Sequence, residues 1–291
     1  MKYRIVHKTV YRYSEPASLS QNELILQPRA TAVQQVEETR LDIRPAPTTV
    51  DCRIDFFGNA VQMFMVQQPH SELVMTAFSR VTTLTPAIPV ADQTPPWETA
   101  AGQVSAHGRP EDLDAYQFVF ASPLVAISPA VREYTRVSFP PGRPLLDGAI
   151  DLMARIYNDF TYDKTATTVD TGVDQVLADR KGVCQDFAHL AIGGLRSLGL
   201  PARYVSGYLE TLPPPGKPKL VGADASHAWL AVYVPGAGWV DLDPTNNLIP
   251  GERYITLAWG RDYGDVTPVK GVVMGGGRHT LSVNVDVSPQ T

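Results

Sequence analysis

The sequence predicts an α+β protein: a core of helices packed on an antiparallel sheet, preceded by a sandwich-like β region. Three patterns carry that expectation. The first stretch alternates polar and apolar residues with period two, the middle places apolar residues at helical spacing, and the last part returns to short strands joined by turn residues. A chain of 291 residues suits one large or two medium domains. A proline-rich stretch supplies the natural break, giving 1–105 as an N-terminal β domain and 106–291 as the second domain.

Taken in order, residues 1 to about 85 read as β. Tyr3, Ile5, His7, Thr9, Tyr11 and Tyr13 fall on one face, while Lys2, Arg4, Lys8 and Arg12 point the other way. Turn residues Asp55-Phe56-Phe57-Gly58-Asn59 separate the runs DCRID and AVQMFMV, which predicts a hairpin. Leu73-Val74-Met75 and the run from Val81 add short strands. His7 and His70 are expected as half-buried strand or loop residues. From Thr85 to Pro110 the composition shifts to Pro, Ala, Gln, Gly and Thr, which reads as a linker held by contacts, with His107 solvated. Pro144 opens a helix through Phe160, with Leu145, Ala149, Leu152, Met153 and Ile156 inward. Thr171 is the expected cap of a short helix leading into the next segment.

That segment, Lys181 to Leu200, is the centre of the second domain. Phe187, Leu190, Ala191, Leu195 and Leu198 fall near one helical stripe, Gly182 marks the entry, and Gly199-Leu200-Pro201 the exit. Cys184 therefore sits in or just before the first turn of a buried helix. Unpaired amides and the positive end of the helix dipole converge there, a setting that stabilises a thiolate. Beyond Pro201, Ala202 to Tyr208 has strand character, and the prolines of Leu212 to Pro218 impose a loop. His227 to Val234 is a strand, turned by Pro235-Gly236 into a second over Gly238 to Asp243. Leu281, Val283, Val285 and Val287 alternate in a last strand that also carries His279, expected to be structural.

Composition narrows the function. With 44% hydrophobic and 19% charged residues the chain has ample core material. A net charge of -5 and the lack of any basic run argue against nucleic acid. The N-terminus lacks the apolar run of a signal peptide, and the least polar long stretch, Phe118 to Val131, is broken by Pro123 and Pro129. No membrane partner and cytoplasmic residence are the expectation. The two cysteines, Cys52 and Cys184, lie far apart, so neither a disulfide framework nor a structural zinc site is expected.

Cys184 at a helix start, His227 opening a strand and Asp243 closing the next form a candidate nucleophile, base and orienting carboxylate. Antiparallel pairing would bring the ends that bear His227 and Asp243 side by side. Asp241, on the same face as Asp243, and Asp224, just before the histidine, compete for the carboxylate role. Zinc would accept the same three side chains, but no paired ligand spacing accompanies them. His189, five residues after Cys184, lies nearly opposite it on the helix and is expected to pack or hydrogen-bond. Trp229 and Trp239 are expected in the core.

The segments GVCQDFAHLAIGGLRSLGLPARYVSGY, ASHAWLAVYV and GWVDLDPTN resemble the core of the transglutaminase-like superfamily, thiol enzymes with a papain-type fold. The runs HKTVYRY and DFFGN, and GRDYGDVTPVKGVVMGG near the C-terminus, resemble its bacterial branch. The resemblance implies that residues 106–291 are the catalytic domain, with Cys184 as nucleophile, His227 as base and Asp243 as orienting carboxylate, and neither metal nor other cofactor. It implies acyl transfer from a peptide or protein amide through a thioester, with hydrolysis favoured over cross-linking. The Cys184 amide would bind the oxyanion. Animal members use an upstream Trp as second donor; with no Trp in that place, Tyr162 and Gln185 are the alternatives. A catalytically silent scaffold is the rival from another class.

Overall fold

The computed structural model describes residues 1–211 and 226–290. The strands are β1 (Lys2–Leu24), β2 (Gln34–Arg44), β3 (Thr49–Ile54), β4 (Ala60–Val66) and β5 (His70–Thr83). Helices α1 (Trp97–Ser105), α2 (Pro110–Tyr116), α3 (Pro129–Arg136) and α4 (Leu145–Asp159) follow. Next come β6 (Thr161–Tyr162), α5 (Val173–Asp179), β7 (Lys181–Gly182) and α6 (Cys184–Ser197). The chain continues with β8 (Ala202–Leu209), β9 (Ser226–Val234), β10 (Gly238–Leu242), β11 (Tyr254–Gly260), β12 (Val269–Gly275) and β13 (His279–Gln290). The α+β expectation holds, and the hairpin over Asp55 to Asn59 joins β3 to β4 in antiparallel register.

Everything in the first sheet is organised on β1. Its first half lies between β5 and β13, and its second half between β4 and β12. The register shifts between Arg12 and Ala17, where the strand changes partners. Such an irregularity bends a strand and increases its twist, so the seven-stranded sheet curls. Leu24, Phe64, Val66, Leu73 and Met75 make the core inside the curl. On the opposite face Tyr3, Ile5, Val81, Val285 and Val287 join the core of the second sheet and the helices. Residues 269–290, grouped by sequence with the second domain, thus complete the first sheet.

Two sequence expectations need correction. The stretch from Thr85 to Pro110 is not simply a linker: it holds a 3-10 turn over Ala91–Gln93 and the nine-residue α1. Only Ala100 and Val104 of α1 are buried, which is too thin an apolar stripe to stand out among the prolines. The Trp97 amide donates to Arg143 O at 3.0 Å, and its indole N–H to Pro140 O at 3.1 Å, fastening α1 beside the start of α4. Thr171 does not cap α5. The N-cap is Gly172, and the Thr171 hydroxyl instead accepts from the Thr168 amide at 2.8 Å.

The second sheet has the order β10-β9-β8-β11, all antiparallel. Ala228, Leu230, Val232 and Val234 of β9 face α6 and the other helices, while Trp229 and Ala231 face the opposite way into a smaller core. Helix α6 is buried along most of its length, from Asp186 to Arg196, against β9, β8, α3 and α5. It ends at Leu198, ahead of Gly199-Leu200-Pro201 as expected. Among the described residues no helix is long and apolar enough to cross a membrane.

Candidate active site

Cys184 is the first residue of α6 and is a free, half-buried thiol. The turn that presents it is clamped by Asp186. One carboxylate oxygen accepts from the Val183 amide at 2.8 Å and from the Thr167 hydroxyl at 2.6 Å. The same oxygen lies 2.8 Å from where a side chain on residue 182 would begin, so only glycine fits before Val183. Val183 is the N-cap and carries no side-chain acceptor, so the first-turn amides are left for an outside oxygen. The pairing of β6 with β7, Tyr162 opposite Gly182, brings Tyr162 to the same turn.

His227 and Asp243 meet as the hairpin predicts. The ring Nε2 of His227 lies 2.7 Å from Oδ2 of Asp243, leaving Nδ1 for the thiol, and Cys184 is in hydrogen-bonding contact with the ring. Asp243 is fully buried and closely held: it accepts from the Tyr254 hydroxyl (2.7 Å), the Asn246 side-chain amide (2.7 Å) and the Thr245 backbone amide (2.8 Å). Trp229 and Tyr254 flank the imidazole, each ring centre 6.0 Å from its own.

The histidines show what this contact does. Burial alone pushes His7 down to about 4. Burial dominates at His189 too, also lowered to about 4, where Nε2 accepts the Tyr263 amide. At His227 burial again works against the charged form, but the ring's hydrogen bonds to Asp243 and Cys184 outweigh it and raise the ring to about 10. Burial would raise the Asp243 carboxyl; the bond to His227 and its other donors hold it below the ordinary range. The arrangement favours a protonated imidazole held by Asp243 beside the Cys184 sulfur, as a thiol nucleophile requires.

Among the residues weighed from sequence, Cys184, His227 and Asp243 come together. Asp241 has no hydrogen bond to His227; it lines a cavity with Arg203, Trp239 and Trp259. Asp224 and the proline-rich loop of Leu212 to Pro218 lie outside the described residues. Gln185 is engaged elsewhere, its side-chain amide donating to Val169 O at 3.0 Å. His7 and His70 are fully buried, bonded to Tyr208 and Ser20 respectively. His107 and His279 are exposed and lie against tyrosines. Trp229 is in the core, and Trp239 is half-buried. Sequence reasoning missed Asn246 and Tyr254, the additional donors to Asp243. Asn246 stands three residues beyond Asp243 in the DPTN run, and that spacing could have revealed it; Tyr254 comes from another strand and leaves no local trace.

One further residue shapes the site from behind. Gly207 of β8 stands opposite His227 in the sheet register. A methyl group there would lie 2.2 Å from Ile255 O and 2.4 Å from the Trp229 ring, which flanks His227. Gly207→Ala is therefore expected to cost about 1–3 kcal/mol and to displace the imidazole. Thermal unfolding together with turnover checks this; an unchanged melting temperature would contradict the packing described.

A papain-type arrangement of helix-borne thiol and sheet-borne imidazole defines the class, and the comparisons agree. Residues 3–82 match the bacterial transglutaminase-like N-terminal region and residues 136–244 the transglutaminase-like superfamily. The chain belongs to that superfamily, whose members are usually cysteine-based enzymes. It is 43% identical over 296 residues to an uncharacterized protein of Mycobacterium tuberculosis, covering 99% of this chain and 93% of the relative. An uncharacterized protein of Mycobacterium leprae is 35% identical over 290 residues, covering 99% of this chain and 98% of the relative. A protein-glutamine gamma-glutamyltransferase of Pseudomonas aeruginosa is 40% identical over 93 residues, 31% of this chain and 14% of that one. The fold is shared with the crystal structure of a candidate cysteine protease from Cytophaga hutchinsonii, at TM-score 0.76 and 20% identity, covering 99% of this chain and 90% of that one.

Proposed function

We propose that the protein is a cysteine-dependent acyl-transfer enzyme that cleaves peptide or side-chain amides through a thioester, with Cys184, His227 and Asp243 as its catalytic residues. One observation carries the reading: the thiol at the start of α6 touches an imidazole that Asp243 holds at 2.7 Å. In the first half-reaction the Cys184 sulfur, its proton already held on Nδ1 of the His227 imidazolium, attacks the amide carbonyl carbon. The resulting oxyanion accepts a hydrogen bond from the Cys184 amide. Collapse breaks the C–N bond, and His227 gives its proton to the departing amine or ammonia. Water, deprotonated by His227, then attacks the thioester and releases the acid and the free thiol.

Tyr162 is the second oxyanion donor in this proposal. Burial raises its hydroxyl above the usual phenol range, and the nearby Cys184 charge adds to that, so it stays a proton donor throughout the working pH range. Tyr162→Phe is expected to lower kcat by about 10²-fold with little change in KM. The folded state should be little affected, because nearly half of the residue (47%) is exposed. An equal loss in KM would assign Tyr162 to substrate binding instead.

Transfer to an amine in place of water is the second reading, favoured by the partial match to the Pseudomonas aeruginosa transferase. Incubating a glutamine-bearing acceptor with a labelled amine separates the two: label in the acceptor means transamidation, and ammonia or peptide release without label means hydrolysis. Mass spectrometry of a trapped acyl adduct on Cys184 tests the shared step, and its absence with every amide acceptor would leave the scaffold reading. Cytoplasmic residence belongs to this proposal as well. The two free thiols, one of them exposed, support it.

A further inference from the structure

On the face of the second sheet that carries Trp229, away from α6, lies a cavity of about 390 Å³, within the usual range for small-molecule pockets. Asp241 of β10 and Arg203 of β8 line it, both in register with Ala231 of the intervening strand β9. Two strand spacings put the outer two about 10 Å apart at their α-carbons. Walls come from the first sheet and its connections, including Thr31, Gln34 and Ile88, and from Trp239 and Trp259.

Arg203 is unusual among the buried cations. Only 9% of it is exposed, and its guanidinium carbon lies 4.2 Å from the centre of the Trp239 ring and 3.7 Å from that of Trp259. Stacking fixes the planar group but satisfies none of its N–H donors. Its Nε–H is fully buried and has no acceptor, and among the described residues none of its nitrogens comes within 4 Å of a carboxylate. Arg196, comparably buried, shows how the same chain satisfies such a group: it donates five hydrogen bonds, to Ala202 O twice, Phe120 O, Arg261 O and the Ser122 hydroxyl. An unpaired buried guanidinium costs several kcal/mol in order of magnitude, so Arg203 is built to receive something.

Asp241 decides what that is. It lines the same cavity and feels the Arg203 charge without closing a salt bridge with it. Burial disfavours the ionised form of both groups, lowering Arg203 to about 9 and raising Asp241. A lone anion would relieve only one of them. A ligand with a carboxylate at one end and an ammonium at the other relieves both, and the valine, leucine, isoleucine and tryptophan walls suit an apolar body. We propose that this cavity binds a small zwitterion, an amino acid or dipeptide with apolar side chains, with its carboxylate on Arg203 and its ammonium group on Asp241.

The site is separate from the thiol, since neither Cys184 nor His227 lines it. It touches the catalytic set through Tyr254, which lines the cavity and donates to Asp243. The proposal does not depend on the amide-cleaving reading, and binding to the Cys184→Ala protein tests it apart from any turnover. Trp239 and Trp259 provide the readout. Titration with leucine and with leucyl-leucine should change the tryptophan fluorescence saturably, and isothermal calorimetry should give matching affinities. Leucinamide and N-acetylleucine, each lacking one charge, should bind at least about tenfold more weakly, and acetate should give no saturable change. Arg203→Gln should abolish the penalty for leucinamide, and Asp241→Asn that for N-acetylleucine. The proposal is overturned if no zwitterion saturates the wild-type signal at millimolar concentration. It is equally overturned if acetate or N-acetylleucine binds as well as leucine, which would make the site a simple anion pocket. The wild-type ligand series alone decides the matter should Arg203→Gln fail to fold.

Discussion

Cys184→Ala is expected to lower amide turnover by a factor of order 10⁵–10⁶, leaving only what binding and oxyanion stabilisation supply. The variant should fold normally. It removes one sulfur from a half-buried position, and the turn before it is held by Asp186, Thr167 and the Val183 amide rather than by the thiol. Its melting temperature should therefore match that of the parent. The same chemistry predicts an inversion of reactivity between the two thiols. Near pH ~6, iodoacetamide should label Cys184 faster than Cys52, although Cys52 is exposed and Cys184 half-buried. Turnover that survives Cys184→Ala on every accepted substrate would dispose of the thioester route.

Asp243→Asn should lower turnover by about 10⁴-fold, through loss of the imidazolium and of the fixed ring orientation. Its second signature lies in the pH dependence of stability. His227 is raised from 6.5 to about 10 in the folded protein. Its contribution is fully present below about pH 6.5 and is lost as pH climbs through about 10. Asp243 is lowered in the folded state, so its contribution is present above its unfolded value of 3.8 and fades as pH falls below that. The parent protein should thus lose stability between about pH 6.5 and 10, and Asp243→Asn should flatten that limb. Melting temperatures across this range measure it. An unflattened limb in the variant would mean that the carboxylate is not what raises the histidine.

The cluster of Cys184, His227 and Asp243 was legible because each member sits in a local pattern: a glycine before a buried helix for Cys184, and the two strands of one hairpin for His227 and Asp243. Hairpin pairing is the one long-range contact that a sequence states almost outright, since the turn sets the register. What stayed hidden depends on distant partners. That β12 and β13 pair with β1 is written in no local spacing, because either could have extended the sheet nearest to it in the chain. The cavity lined by Arg203 and Asp241 was hidden for the same reason, since they are 38 residues apart in number and come into one row only across β9. Helix α1 escaped because two prolines precede it and only two of its side chains are buried. Thr171 misled because a threonine next to a glycine satisfies the cap pattern, while its hydroxyl was already engaged by Thr168.

The placement of β1 has a consequence for how the protein is made. On a ribosome, β1 can acquire β5 once residue 83 has appeared, yet its other edge waits for residues 279–290. Between those two events the nascent chain carries an unpaired strand edge, the kind of surface that recruits wrong partners. Lys2, Arg4, Lys8 and Arg12 along that strand supply the charge that discourages such pairing. Closure of the first sheet therefore comes late, after the helices and the second sheet that lie between β5 and β13 in the chain have been made.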